Sequence, residues 1–207
     1  MSGIFPHGNT SQGKYHADET EKGVPYGEFG MTLTGSGPET WTHNHKQNGI
    51  HDLCGNVWEI ARGFRIKDGV LQAAKNNDAA LDIDLTAEGD DWRNVVDGRG
   101  KPIHVNVEDG EITFTMDDDF SQGYDGDRWG NVRTACVSER LGELGLWNGK
   151  ENAYLFVNSR DGEYLPLCGG RWNHTSNAGV FFVSLYSSRT ASSSSIGFRS
   201  AFYKKAE

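Results

Sequence analysis

Apolar and polar residues alternate in two segments near the middle of the chain. In residues 103–116, every second residue is apolar on both sides of an Asp109-Gly110 pair. Residues 63–71 place two short apolar segments around Asp68-Gly69. A period of two puts the apolar side chains on one face of a sheet, and an Asp-Gly pair supplies the positive φ angles of a hairpin turn. The pattern therefore predicts two β-hairpins, each joined at its Asp-Gly pair.

Helical periodicity is weak along the whole chain. Residues 132–146 are predicted to form a short amphipathic helix, because apolar residues at 137, 141 and 144 lie roughly on one helical face. Residues 72–100 and 117–131 are polar and acidic, so we interpret them as insertions and loops. Residues 1–48 are Gly-rich and predict an irregular N-terminal arm with short strands.

Strand composition returns in the last third of the chain. Residues 180–186 and 196–202 are rich in apolar and aromatic residues that favour strands. The last strand is expected inside the sheet, anchored by Ile196 and Phe198. Residues 152–157 suit either a helix end or a strand.

Composition and charge narrow the classes of protein and partner. A length of 207 residues with no Pro- or Ser-rich linker favours one elaborated domain. The net charge is −9 and the acidic residues are spread widely, whereas binding to phosphates needs a basic face. We therefore expect no nucleic acid partner. No apolar run approaches the ~20 residues that cross a bilayer, so we expect no membrane insertion.

Candidate metal and thiol chemistry is sparse. Cys54, Cys136 and Cys168 are odd in number and widely spaced, which favours buried small residues over a disulfide framework or a zinc site. Residues 117–127 carry five Asp side chains, which are oxygen ligands of the kind calcium binds. Residues 117–127 therefore have two interpretations, a calcium site or a solvated acidic loop. Apart from the calcium of the first interpretation, we expect no cofactor and no metal.

An unusual composition marks the stretch from residue 167 to 202. Residues 171–195 contain no Lys, Glu, Gln or Met. These residues, with Trp, are the ones a codon cannot encode when its first two bases vary and its third is a pyrimidine. The gap is therefore what randomised codons of this kind would leave, and an ordinary Ser-rich loop is the competing interpretation.

The motifs around this gap carry a family resemblance. Residues 169–172 read Gly-Gly-Arg-Trp, residues 176–181 read Ser-Asn-Ala-Gly-Val-Phe, and residues 196–199 read Ile-Gly-Phe-Arg. With Arg189, they resemble the variable region of diversity-generating retroelement target proteins. Upstream, residues 55–59 read Gly-Asn-Val-Trp-Glu, which resembles the signature of the formylglycine-generating-enzyme-like branch of the C-type lectin fold. In that branch calcium ligands can come from around this motif, so Asn56 and Glu59 are further candidates.

The resemblance implies an α+β fold of the C-type lectin type, loop-rich, with short antiparallel sheets and one or two helices. It implies a scaffold that stays constant while exposed side chains near the C-terminus vary to bind a ligand. We expect a protein or glycan receptor on a host or target cell as the partner, with the protein displayed on a phage tail or a cell surface. The candidate ligand-binding residues are Arg171, Asn173, His174, Phe182, Ser184, Tyr186, Ser187, Ala191, Ser193, Ser194 and Ser195.

Strand alternation gives these candidates an orientation. Counting from Val180, residues 182, 184 and 186 should point outward, and residues 181, 183 and 185 should face the core. Trp172 and Phe198 should be buried in the constant frame.

Two other functions compete with ligand binding. An enzyme of the formylglycine-generating or a related oxygenase type needs a cysteine pair after the Gly-Gly-Arg-Trp turn, or an iron site of several His. Residues 173–176 read Asn-His-Thr-Ser, and Cys168 precedes the turn alone. We therefore expect no enzymatic activity. A structural virion protein with the same fold and no ligand is the third interpretation.

Overall fold

Both predicted hairpins are present in the computed structural model, which describes residues 5–134, 139–146 and 152–200. Phe64–Lys67 pairs antiparallel with Val70–Ala74, and His104–Glu108 pairs antiparallel with Glu111–Thr115. At the two turns, Asp68 and Gly69 have φ angles of 51° and 80°, and Asp109 and Gly110 have 49° and 83°. Two consecutive positive φ angles match the twist of a two-residue hairpin, as the Asp-Gly pairs predicted.

The described residues form mostly β-strands and irregular segments. The strands are β1 (Pro25–Tyr26), β2 (Met31–Thr32), β3 (Trp58–Ile60), β4 (Phe64–Lys67), β5 (Val70–Ala74), β6 (Trp92–Asn94), β7 (His104–Glu108), β8 (Glu111–Thr115), β9 (Tyr124–Arg128), β10 (Arg133–Thr134), β11 (Tyr154–Asn158), β12 (Glu163–Gly169), β13 (Gly179–Ser188) and β14 (Ile196–Phe198). Helix α1 spans Glu139–Glu143, and single 3-10 turns span Glu39–Trp41, Lys75–Asn77 and Thr175–Asn177. The short helical content makes the fold mostly β, where the sequence predicted α+β.

Beside a separate two-stranded antiparallel sheet of β1 and β2, the other twelve strands of the described residues form one mixed, curled sheet, where we expected only short antiparallel sheets. Its main path runs β10-β8-β7-β5-β4-β12-β13-β11-β9, with β3, β6 and β14 attached beside it. Most pairs are antiparallel, but β10–β8, β11–β13 and β14–β3 are parallel. Among the described residues, β14 pairs only with β3 and forms an edge, so the prediction of an interior last strand is wrong.

The main core packs against the long mixed sheet. Alternate residues of the second hairpin fill it, including Val105, Ile112 and Phe114. Val183 and Leu185 of β13 point into the same core. A smaller cluster, formed by Trp58, Leu167 and Phe182, lies apart from the main core.

The two segments interpreted as insertions contribute strands to the sheet. β6 lies within residues 72–100 and pairs with β5, and Trp92 and Leu85 pack there in a third cluster. β9 lies within residues 117–131 and pairs along its full length with β11. Pairing with neighbours, and not their own composition, makes these segments strands.

A buried ion network ties the middle of the chain to β12. Glu163 accepts hydrogen bonds from Arg65 at 2.6 Å and from Arg189 at 2.7 Å. The side chains of Arg65 and Glu163 are both less than a tenth exposed. Two guanidinium groups share this one carboxylate, and their hydrogen bonds to it offset part of the cost of removing the charges from water.

The predicted helix over residues 132–146 is present only in part. Residues 133–134 form β10, and α1 covers Glu139–Glu143 with Leu141 buried. Position 137 of the predicted face lies outside the described residues, as does Cys136. In the part of the chain that is described, no helix is long and apolar enough to cross a membrane.

Candidate functional site

The two motifs that carry the family resemblance lie against each other. The backbone N–H of Gly55 donates to the carbonyl oxygen of Gly169 at 2.9 Å, and that of Trp172 donates to the carbonyl oxygen of Asn56 at 3.1 Å. Gly169 and Gly170 have φ angles of 89° and 82°, which only glycine adopts without strain. These bonds fix the turn that carries Arg171, and Trp172 is buried as predicted.

The side chain of Asn56 joins the N-terminal arm to this frame. Its Oδ1 accepts from the backbone N–H of Thr32 at 2.9 Å and from the Nδ2 of Asn9 at 3.2 Å. Its Nδ2 donates to the carbonyl oxygen of Thr32 at 3.0 Å. The Asn56 side chain is buried and hydrogen bonded on both sides, so its amide serves the fold rather than a cation site.

The candidates on the turn present one exposed and two half-buried side chains. Asn173 is exposed, whereas Arg171 and His174 are half-buried. The backbone N–H of Arg171 lies 3.3 Å from the Nδ1 of His174, and the guanidinium stacks over Trp172. Burial and, to a smaller extent, the Arg171 charge lower the pKa of His174 to about 4. His174 therefore presents a neutral imidazole at pH 7.

Phe182 is buried, so the prediction that it points into solvent is wrong. Its ring is 2% exposed and lies 4.6 Å from the Trp58 ring and 5.3 Å from the His174 ring, measured between centroids. The predicted alternation holds for Val183 and Leu185, which enter the main core. It is wrong for Phe181, which is half-buried and packs against Phe5 outside that core. Phe182 lies on the opposite face of β13, which we expected to be exposed, but the rings of Trp58 and His174 cover it there.

Ser184 and Ser195 are also buried, where we expected exposed positions. Ser184 stands in register with Phe156 on one neighbouring strand and with Leu167 on the other. The Oγ of Ser195 lies 2.9 Å from that of Ser193. The carbonyl oxygen of Ser195 accepts a hydrogen bond from the backbone N–H of Trp58. Both residues therefore belong to the frame of the surface.

The other candidates differ in exposure. Ser193 and Ser194 are exposed in the loop before β14, and Tyr186 is exposed on β13. Ser187 and Ala191 are half-buried and line a small crevice beside β12.

Two exposed aromatic residues, Tyr124 and Phe156, extend the surface beside Tyr186, and neither was predicted from the sequence. The rings of Tyr124 and Tyr186 meet edge to face at 5.7 Å, and the Arg160 guanidinium lies 4.7 Å from the Tyr124 ring. Phe156 is 37% exposed and packs across Gly126, where an added β-carbon would meet its ring. The alternation of residues 154–157 was the available signal, because Leu155 and Val157 enter the core.

We name these three exposed rings, Tyr124, Phe156 and Tyr186, the aromatic face. They lie on the adjacent strands β9, β11 and β13. Tyr154 and Phe182 continue the ring contacts toward His174. The turn at residues 171–174 and the aromatic face are thus connected by side-chain contacts.

Phe198 does not occupy the buried position predicted for it. Its side chain is 81% exposed, whereas its neighbour Ile196 packs against Trp58 and Leu167. Next to it, Arg199 forms a salt bridge of 2.6 Å with Glu59 and donates to the carbonyl oxygen of His51. Glu59 is therefore engaged by an arginine in this structure.

The described residues hold neither a metal-binding cluster nor an activated thiol. No group of three or more His, Cys, Asp or Glu side chains in residues 5–134, 139–146 and 152–200 is arranged to hold a metal ion. Burial raises the pKa of the Cys54 thiol to about 12 and that of Cys168 to about 11. Both thiols are protonated at pH 7 and are poor nucleophiles.

The site is thus a surface of exposed aromatic, amide and hydroxyl groups on a backbone held by buried hydrogen bonds. Such groups can stack on, and hydrogen bond to, a ligand. Comparison of the chain with protein-family models and with curated proteins finds no match.

Proposed function

We propose that this protein binds a receptor on a host or target cell, a protein or a glycan, through the surface formed by the 171–174 turn, the aromatic face and the 193–194 loop. The observation that carries the proposal is the contrast between frame and surface. The backbone at Gly55, Asn56 and Trp172 is fixed by hydrogen bonds, while Asn173, next to Trp172, and Tyr186, on β13, are exposed to solvent.

The chemistry of the surface suits adaptable recognition. Tyr side chains give large, rigid contact areas at low entropic cost, and Ser and Asn give hydrogen bonds that suit many partners. Tyr124 and Tyr186 are each about half exposed, so their rings have area left to bury against a ligand. Exposed aromatic residues that touch one another are typical of interaction sites.

The retroelement and the C-type lectin fold enter the proposal through the resemblance of the sequence motifs. Contact between the 55–59 and 169–172 motifs supports it, because such a frame would hold the backbone constant while exposed side chains vary. Of the candidate positions, Asn173, Tyr186, Ser193 and Ser194 are exposed, and none of them belongs to a hydrophobic core cluster. Display on a phage tail or a cell surface would be the setting for such a receptor-binding protein.

The state of the thiols favours a binding role over an enzymatic one. Cys54 and Cys168 lie in buried positions that keep their thiols protonated. A formylglycine-generating mechanism would require reactive thiols after the 169–172 turn, and residues 173–176 supply none. We therefore propose that the protein is not an enzyme.

A pair of displayed libraries tests the binding role. One randomises the exposed positions Asn173, Tyr186, Ser193 and Ser194, and the control randomises the exposed positions Glu88, Arg99, Lys101 and Glu108. Both should retain folding, because exposed substitutions usually change stability by no more than about 0.5 kcal/mol.

Selection against lysozyme as a model target then compares the two libraries. The first library should yield specific binders at least tenfold more often than the control. Equal yields, or general misfolding of the first library, would contradict the proposal.

A further inference from the structure

A second candidate site lies between the N-terminal arm and the start of β13. The cavity there has a volume of about 530 Å³. Such a volume falls within the range of small-molecule sites in proteins, roughly 300–1,000 Å³. Its walls include Phe5, His7, Tyr15, Ala178, Val180 and Phe181.

Aromatic rings form much of the cavity wall, and they are held in place by one another. Phe5 meets Phe181 edge to face with 5.1 Å between ring centroids, which joins the arm to β13. The rings of His7 and Tyr15 stack at 4.0 Å with only 9° between their planes. Rings fixed in this way offer faces and edges to a further aromatic ring without first having to be ordered.

The cavity wall lacks the charged side chains that are common in the rest of the chain. Among the described residues that line it, none is Asp, Glu, Lys or Arg, although these types make up 24% of the protein. Burial, and secondarily His7, lower the pKa of His16, which keeps its imidazole neutral at pH 7. Asn152, Ser176 and Asn177 add uncharged hydrogen-bonding groups to the wall.

We propose that this cavity binds an uncharged aromatic small molecule that carries a hydrogen-bonding group. Two charges do reach wall residues, because Glu21 pairs with His7 and Arg128 donates to Asn177, but neither charged side chain lines the cavity itself. A charged ligand would therefore lose its hydration without direct contact with an opposite Asp, Glu, Lys or Arg charge, which is costly. A neutral ring with a hydroxyl or N–H group would stack on the aromatic walls and bond to the amide and hydroxyl groups. Of the candidate receptor-binding residues, only Phe182 lines this cavity, so the site is separate from the proposed receptor surface.

Two glycines offer a matched pair of variants for the test. A β-carbon built on Gly179, which lines the cavity, meets no atom within 4 Å, and the same holds for Gly98, which does not line it. Neither glycine has a positive φ angle. Gly179→Phe should therefore occupy space at the cavity, and Gly98→Phe should add the same side chain elsewhere.

The probe is 4-fluorophenol, titrated into the whole protein and followed by ¹⁹F NMR, with 4-fluorobenzoate as its charged counterpart. We expect saturable phenol binding with a Kd on the order of 1 mM, as suits a ligand of this size. The benzoate should bind at least tenfold more weakly. Gly179→Phe should weaken phenol binding at least tenfold, and Gly98→Phe should leave it unchanged.

Three results would overturn the proposal. They are absence of saturation by the phenol at tenfold the expected Kd, equal binding of the benzoate, and unchanged binding in Gly179→Phe. Thermal melting checks that the variants fold. If Gly179→Phe does not, nuclear Overhauser contacts between the phenol ring and the Val180 methyl groups of the parent decide the question. Saturable binding without those contacts would place the probe elsewhere and refute the site.

Discussion

Phe182→Ala should destabilise the fold strongly. The ring is 2% exposed and packs against Trp58, His174 and Tyr154. Losing the buried side chain costs about 1.5–3 kcal/mol in transfer free energy. A residual cavity of roughly 100 Å³ would add about 2 kcal/mol. Partial collapse of the half-exposed Tyr154 ring reduces the second contribution, so we expect a loss of about 3–4 kcal/mol.

Urea unfolding at pH 7, followed by Trp fluorescence, measures this loss through the midpoint and slope. Phe198→Ala is the matched control, because it removes the same ring from a position that is 81% exposed. The control should lie within about 0.5 kcal/mol of the parent. A Phe182→Ala variant as stable as the parent would show that this ring is not packed as described.

Three further predictions follow from buried groups. Trp172→Ala should lower the free energy of unfolding by about 3 kcal/mol in thermal or urea unfolding, because the ring is buried in the frame; an unchanged midpoint would contradict this. Glu163→Gln should cost about 3 kcal/mol at pH 7, because the buried Arg65 guanidinium loses its carboxylate. Burial raises the pKa of Glu163, but hydrogen bonds from its two arginine partners outweigh this and lower it overall. The parent should therefore lose this stability as the pH falls below about 4, and the Gln variant should lack that part of the pH dependence. The pKa of His174 is lowered to about 4, so between about pH 4 and 6.5 the native state binds fewer protons at this residue than the unfolded chain does. Stability should therefore fall as the pH drops from about 6.5 toward 4. An NMR titration midpoint of His174 near the ordinary value of about 6.5 would refute the burial of this imidazole.

The hairpins could be predicted because their determinants are local. An Asp-Gly pair sets the turn, and the alternation beside it sets the buried face, so a short window of sequence contains all the information. The same reasoning gave the correct core direction for Val183 and Leu185.

The strand β9 could not be predicted, because its determinants are distant in sequence. Its acidic composition suggested a loop or a calcium site. Pairing with β11 makes it a strand, with the Phe156 ring lying across Gly126 and the Tyr154 hydroxyl donating to the Gly126 carbonyl oxygen at 2.9 Å. Nothing within residues 117–131 indicates that partner.

Exposure on the outer face of the sheet was the least predictable property of the site. Alternation tells which side of β13 a residue occupies, but not what lies over that side. Trp58 and His174 cover Phe182, whereas Tyr186, four residues later on the same face, is exposed. Phe198 shows the converse, since its apolar character predicted burial and its strand is an edge.

The central claim is that the residues of the receptor surface are diversified on a constant frame. Sequencing the locus that encodes this chain tests it most directly. We predict a nearby near-copy of the segment for residues 167–202 and a reverse transcriptase gene, with differences confined to adenines of the copy. The affected codons should include those of the exposed Asn173, Tyr186, Ser193 and Ser194, and should spare that of Trp172. A locus without such a copy, or with differences spread evenly over frame and surface codons, would contradict the account.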